Sequence, residues 1–164
     1  TTCSDGGVPR VDFVAEAQQC PSCGMPLFVY KTQTRLVTTL SEGGFRAREV
    51  IKSCRSGHCP VVRSEALVDI VPPGQRYGWD VIVHVGLARY LRCSQREEIR
   101  ADLRSRGIEV SAGTVSHLCD RFLVAFGKLH EHRAPALREA MKDGYWLHVD
   151  ATCDLGKGGL FACL

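Results

Sequence analysis

What the 164-residue sequence lacks narrows its class before any motif is read. It has no run of about 18 apolar residues, the length that a membrane-spanning helix needs. The best candidate, residues 81–91, is interrupted by His84 and Arg89, so no contact with a membrane is expected. The first twenty residues do not place a basic stretch before an apolar one, so they do not read as a secretion signal. An initiating methionine is missing and the last residues stop inside a hairpin pattern, so the chain is read as a fragment of something longer. Neither charge sign dominates, with 21 Lys and Arg against 18 Asp and Glu, and the net of +3 decides little alone. A hydrophobic content of 45% with 24% charged residues is that of a folded chain, not a disordered one. The length suits one ordinary domain or two small ones.

Cysteine is the exception to this sparseness. There are nine, an odd number, and Cys3, Cys93, Cys119, Cys153 and Cys163 show no pairing pattern. Without a secretion signal, reduced thiols in a cytoplasm are expected in place of a disulfide framework. The other four have metal-ligand spacing. In Cys20-Pro-Ser-Cys23-Gly24 two thiolates can face one tetrahedral Zn²⁺, and the glycine lets the backbone turn beneath it. Cys54-Arg-Ser-Gly-His-Cys59 supplies the second pair. His58 also stands at ligand spacing from Cys54, but the all-cysteine pattern of structural zinc sites favours Cys59 as the fourth ligand. Four reduced thiols without metal are the plainer alternative.

Between the two knuckles, residues 27–40 and 45–51 are rich in β-formers, and Ser41-Glu-Gly-Gly44 reads as the turn. Two knuckles on a β-hairpin make a zinc ribbon over residues 20–71, with 61–71 as its last strand. The metal would supply the stability that so small a core lacks. From Lys31 to Arg63 seven basic residues stand against Glu42 and Glu49, a local net of +5. Four thiolates around Zn²⁺ reduce this to +3, still suited to phosphates. Residues 1–19 read as a poorly ordered lead-in with at most a short helix near 12–19.

After Pro72-Pro73-Gly74 the apolar period becomes helical. Residues 79–92 fit one helix. Ser94 with Glu97 reads as a capping box for a second, ending at Gly107. Ser111 caps a third over 112–131, with Val115, Leu118, Phe122, Leu123 and Phe126 on its apolar side. Helix, glycine-ended turn and helix over 76–132 is the layout of a helix-turn-helix, which would present Thr114, Ser116, His117 and Arg121 to DNA. Arg92, Arg96, Arg100 and Arg104 recur every fourth residue. Like charges so spaced repel by a few tenths of a kcal/mol per pair, roughly, which phosphates would relieve. The segment from Trp79 to His132 nonetheless carries eight basic and seven acidic residues, and a solvated face is the competing reading. The histidines at 84, 117, 130, 132 and 148 form no ligand set. Arg133-Ala-Pro135 is expected to break the helix, leaving residues 133–143 as a connector.

Trp146-Leu-His-Val-Asp150-Ala-Thr152 alternates with period two, as a strand does, and a glycine-rich turn and second strand follow. Aspartate is disfavoured in a strand, yet a carboxylate held rigidly suits Mg²⁺. A solvated hairpin aspartate is the plain alternative.

The order of these parts, with residues 76–85, 106–122 and 146–161 contributing most, resembles the N-terminal part of bacterial insertion-sequence transposases with a DDE, RNase H-like core. The fold class that follows is α+β: a small zinc-ribbon β domain, a helical helix-turn-helix domain, then the first β-hairpin (144–164) of a truncated core. The resemblance implies that Asp150 is the first of three carboxylates holding two Mg²⁺ ions for attack on a DNA phosphodiester. It also implies double-stranded transposon ends as partner, a nucleoid-associated protein, and an oligomer of the full-length protein. Asp154 falls at the turn and is not a matching acid. With the two later acids absent, this chain alone is expected to be inactive in strand transfer. Competing expectations are a non-enzymatic zinc-ribbon and helix-turn-helix regulator, and a ribbon that contacts protein only.

Overall fold

The computed structural model describes residues 7–144, 149–153 and 159–163. The chain is mixed α+β. It divides into two compact units, Thr1–Val124 and Ala125–Leu164.

In the first unit, β2 (Phe28–Thr38) and β3 (Gly44–Ser53) form the expected antiparallel hairpin. Its turn is closed by Thr39, whose amide donates to Gly43 O (2.9 Å) and whose hydroxyl accepts from Glu42 N (3.0 Å). Gly43, at φ 71°, takes the left-handed conformation there. The lead-in is where expectation and structure part. Instead of a helix near 12–19, β1 (Arg10–Val14) adds parallel to the free edge of β3, giving the order β1-β3-β2. Val11, Phe13 and Val14 favour a strand, and Phe13 packs beside Phe45 at 6.3 Å between ring centroids.

Residues 61–71 also depart from expectation. Only Val62 bridges the sheet, to Lys52, and α1 (Glu65–Ile70) follows. Leu67, Ile70 and Val71 recur at helical spacing and cover Phe13, Val37, Phe45 and Ala47 of the sheet. Glu16 starts this helix from a distance: its carboxylate accepts from Ser64 Oγ (2.8 Å) and Glu65 N (3.1 Å). These hydrogen bonds, Ser64 first, hold the Glu16 carboxyl below its usual range.

A second core joins α2 (Trp79–Tyr90), α3 (Arg96–Ser105) and the start of α4 (Ala112–Ala140). It is built from Val81, Ile82, Val85, Ile99, Leu103, Val115 and Leu118. The α3 cap lies one residue later than expected: Gln95 is the N-cap, and its amide donates to Glu98 (2.7 Å). Gly107, at φ 78°, ends α3 as expected. Ser111 Oγ accepts from Thr114 N (3.1 Å) to begin α4. Pro135 does not break α4, which continues to Ala140. Proline removes one hydrogen bond, while Ala134, Ala136, Leu137 and Arg138 around it are strong helix formers. Leu123 and Phe126, expected on the buried side, are exposed.

Asp80 ties the helices to the hairpin. Its carboxylate accepts from Leu40 N (2.7 Å), Ser41 N (3.1 Å) and Val81 N (2.7 Å). Gly86 of α2 lies under the Phe122 ring of α4, so close that a Cβ would stand 2.0 Å from the ring. Gly86→Ala should therefore lower stability by about 1–2 kcal/mol, because overpacking outweighs the gain in helix propensity. A urea midpoint at or above that of the parent chain would show that the ring yields freely.

The second unit contains the rest of α4 and an antiparallel pair, β4 (Val149–Cys153) and β5 (Gly159–Cys163). Among the described residues no helix is long and apolar enough to cross a membrane.

Candidate metal centre and basic surfaces

Both knuckles are set by backbone hydrogen bonds before any cation is considered. Gly24 N donates to Cys20 O (2.8 Å) and Cys20 N to Met25 O (2.8 Å), folding the first into a tight turn with Gly24 at φ 70°. The second hangs between the end of β3 and the bridge from Lys52 to Val62, with Gly57 at φ 69°. Together they bring Cys20, Cys23, Cys54 and Cys59 into one group, all four Sγ atoms within 4.8 Å of one another. Cys20 and Cys54 are buried, Cys59 is half-buried and Cys23 exposed. Such a group could hold a metal ion such as zinc. Cys23 Sγ lies 3.8 Å from Cys54 Sγ. That matches the edge, about 3.8 Å, of a tetrahedron with metal–sulfur bonds of about 2.3 Å. His58 is exposed and does not belong to the group.

Sequence spacing found the cysteines but not Ser56. Its Oγ lies 3.0 Å from Cys54 Sγ and 3.2 Å from Cys59 Sγ. Hydrogen bonds from the Ser56 hydroxyl and backbone pull the Cys54 thiol down to about 6. Cys59 also receives the Ser56 hydrogen bond, but the adjoining Cys23 and Cys54 outweigh it and push the thiol up to about 11. Hydrogen bonds led by the Ser22 amide lower Cys20. The set thus has one readily ionised thiol and one that resists ionisation beside it. A cation that neutralises the thiolates removes this conflict.

The four arginines do not form one stripe. Arg92 lies in the turn after α2, off the helix that carries the others, because α3 begins only at Arg96. Arg100 Nη1 donates to Glu97 (2.6 Å) and its Nε to Val110 O (3.2 Å). Arg104 grips Glu109 through two nitrogens, at 2.8 and 3.3 Å. Arg96 has no carboxylate partner among the described residues, and its Nη1 reaches Ser116 Oγ at 3.5 Å. On α4, Thr114 and Ser116 are half-buried, the first 2.9 Å from Ser111 Oγ and the second donating to Ala112 O (3.3 Å). His117 and Arg121 are exposed, with Arg121 Nε 3.4 Å from His117 Nε2. Arg89 and Gln95, which the spacing did not single out, join Arg96, Ser116 and Asp120 around a cleft of about 310 Å³.

Asp150 lies on β4 opposite Ala162 of β5, so a strand and a return strand stand where the pattern placed them. Trp146, His148 and Asp154 lie outside the described residues. No protein-family model, curated protein or solved structure matches this chain.

Proposed function

We propose that this chain binds double-stranded DNA through the start of α4 and the adjoining end of α3, with a structural zinc ion holding the knuckle end of the sheet. The observation that carries the reading is the charge left over after pairing. Arg100 and Arg104 are occupied by Glu97 and Glu109, whereas Arg96 and Arg121 have no carboxylate partner among the described residues and flank α4's first turns. A helix start with a capped first turn and cations on either side suits a major groove and its phosphates. The four sulfurs, on spacing and geometry, suit Zn²⁺ better than the oxygen-seeking cations.

The resemblance to DDE transposases extends this reading: the duplex would be a transposon end. Asp150, at a paired position on β4, would contribute one carboxylate to a Mg²⁺ site.

Duplex binding should weaken steeply with salt, since each neutralised phosphate releases counterions. Replacing both Arg96 and Arg121 with alanine should lower the log–log salt slope by about 2, one for each lost phosphate contact. Fluorescence anisotropy on a duplex of about 20 base pairs, about two helical turns, reads both quantities. A slope that is flat, or equal in the parent and the variant, would sink the DNA reading.

A further inference from the structure

Strand β2 runs out beyond the sheet's core before it meets the metal centre. At its far end Val37 is buried, but every residue from Phe28 to Thr32 is exposed. Tyr30 interrupts the ladder: Val29 pairs with Lys52 and Lys31 with Ile51, so Tyr30 is the extra residue of a bulge. Phe28 is 48% exposed and Tyr30 63%. With Val29, Ser53, Cys54 and Arg55 they line one open depression of about 530 Å³.

Each ring carries a cation. The Arg55 guanidinium lies 4.8 Å from the centre of the Phe28 ring, and Lys31 Nζ lies 5.8 Å from that of Tyr30. Among the described residues no carboxylate lines the depression. The nearest acid of the ladder, Glu49, is turned inward and paired with Arg63.

We infer that this face binds single-stranded DNA, with unpaired bases stacked on Phe28 and Tyr30 and phosphates met by Arg55 and Lys31. The surface supplies what an unpaired strand needs: flat apolar faces for bases, and cations within reach of the backbone. A duplex hides its base faces. An acidic peptide would use the two cations and leave the rings without a role, and an apolar protein surface would bury the rings and strand the cations. The choice of DNA over RNA rests on the reading of the preceding subsection, while the stacking surface itself is independent of it.

The test uses the full chain with its metal, labelled oligo-dT of about 15 nucleotides, within the range of small single-strand sites. An oligo-rU of the same length and the duplex are the comparison ligands. Phe28→Leu with Tyr30→Leu keeps an apolar strand and removes both ring faces. It should weaken oligo-dT binding about tenfold or more, the loss expected for one or two stacked bases, and leave duplex binding unchanged. Phe28→Tyr with Tyr30→Phe should restore it. Equal oligo-dT affinity in the parent and leucine chains would overturn the site. Tighter binding of oligo-rU than of oligo-dT would overturn the choice of DNA. Capture of polyglutamate with oligo-dT left unbound would assign the face to an acidic protein instead. Should the Arg96 and Arg121 variant keep full duplex binding while the leucine variant loses oligo-dT, the α4 reading falls and this one stands.

Discussion

Cys54→Ser should leave the chain without bound metal and with the knuckle end of the β2–β3 hairpin open. Cys54 is the most connected member of the group, buried, 3.8 Å from Cys23 Sγ and 3.0 Å from Ser56 Oγ. A serine hydroxyl at that position neither ionises near neutral pH nor offers the soft sulfur that a thiolate cage uses. The structural consequence is local because the core is local. Apolar packing of the sheet lies between Phe13, Val37, Phe45 and Ala47 and α1, whereas β2 from Phe28 to Thr32 buries no side chain. If a cation occupies the four sulfurs, order at that end should depend on it, as in small domains whose folding energy is metal-binding energy. Metal content should fall from one ion per chain to none, with a melting temperature lower by about 10 °C or more. Amide protection should vanish across residues 28–31 and persist around Val37. A chelator should reproduce this in the parent chain, and Cys93→Ser, at an exposed thiol outside the group, should change nothing. Retention of one ion per chain in the Cys54 variant would remove these four sulfurs as the ligand set.

The same geometry fixes how loading responds to pH. Without a cation, Cys54, its thiol pulled down to about 6, is ionised at neutral pH, while Cys59, pushed up to about 11, keeps its proton. Binding must expel that proton, so affinity rises with pH through the neutral and alkaline range. It falls as acidification below about 6 returns a proton to Cys54.

The clustering of the four cysteines was the most legible part of the sequence because its signal is covalent chemistry at fixed spacing. Two residues between Cys20 and Cys23 specify a turn, and nothing elsewhere in the fold changes what thiolates prefer. Gly107 and Ser111 were legible for a similar reason, since a left-handed stop and a side-chain cap act within one turn. What was missed depends on partners distant in sequence. Residues 10–14 become a strand because β3 offers a free edge 36 positions away, Arg10 pairing with Arg46. Residues 65–70 become a helix because Glu16 caps them and the sheet needs a cover. The arginine periodicity misled in the opposite way. Spacing put Arg92, Arg96, Arg100 and Arg104 together, yet the α3 boundary excludes Arg92, and Glu109, beyond the helix, neutralises Arg104. Pro135 shows the limit of a local rule, one lost hydrogen bond set against a run of helix-favouring residues.

Glu49→Gln should cost about 3 kcal/mol, without touching the metal ligands. Glu49 stands on the central strand, only 1% exposed. One carboxylate oxygen accepts from Arg63 Nη1 at 2.8 Å, while its other oxygen and Arg35 Nε are both buried without a direct partner among the described residues. Arg35 reaches across from β2, its Nη1 donating to Pro72 O at 3.4 Å. Burial holds the Arg35 guanidinium below its usual range, Glu49 opposes that shift, and Arg63 adds to it. The carboxylate is thus the counter-charge for two guanidinium groups, and glutamine would leave both facing each other across a poorly solvated gap. The lower end of the range measured for broken buried pairs applies, because Arg63 still reaches solvent with 23% of its side chain. Replacing Arg35, Glu49 and Arg63 together with methionine should recover most of the loss, since an apolar cluster carries no desolvation cost. Urea midpoints of the parent, single and triple variants decide it: a glutamine penalty under about 1 kcal/mol would mean that water screens the pair. Function enters through position. Arg63 follows the second knuckle by four residues, so the segment leaving Cys59 runs from the cysteine cluster at one end to Glu49 at the other. Glu49→Gln should then loosen that segment and speed metal loss to a chelator even though all four sulfurs are intact, whereas an unchanged release rate would show that the knuckle holds its ion unaided.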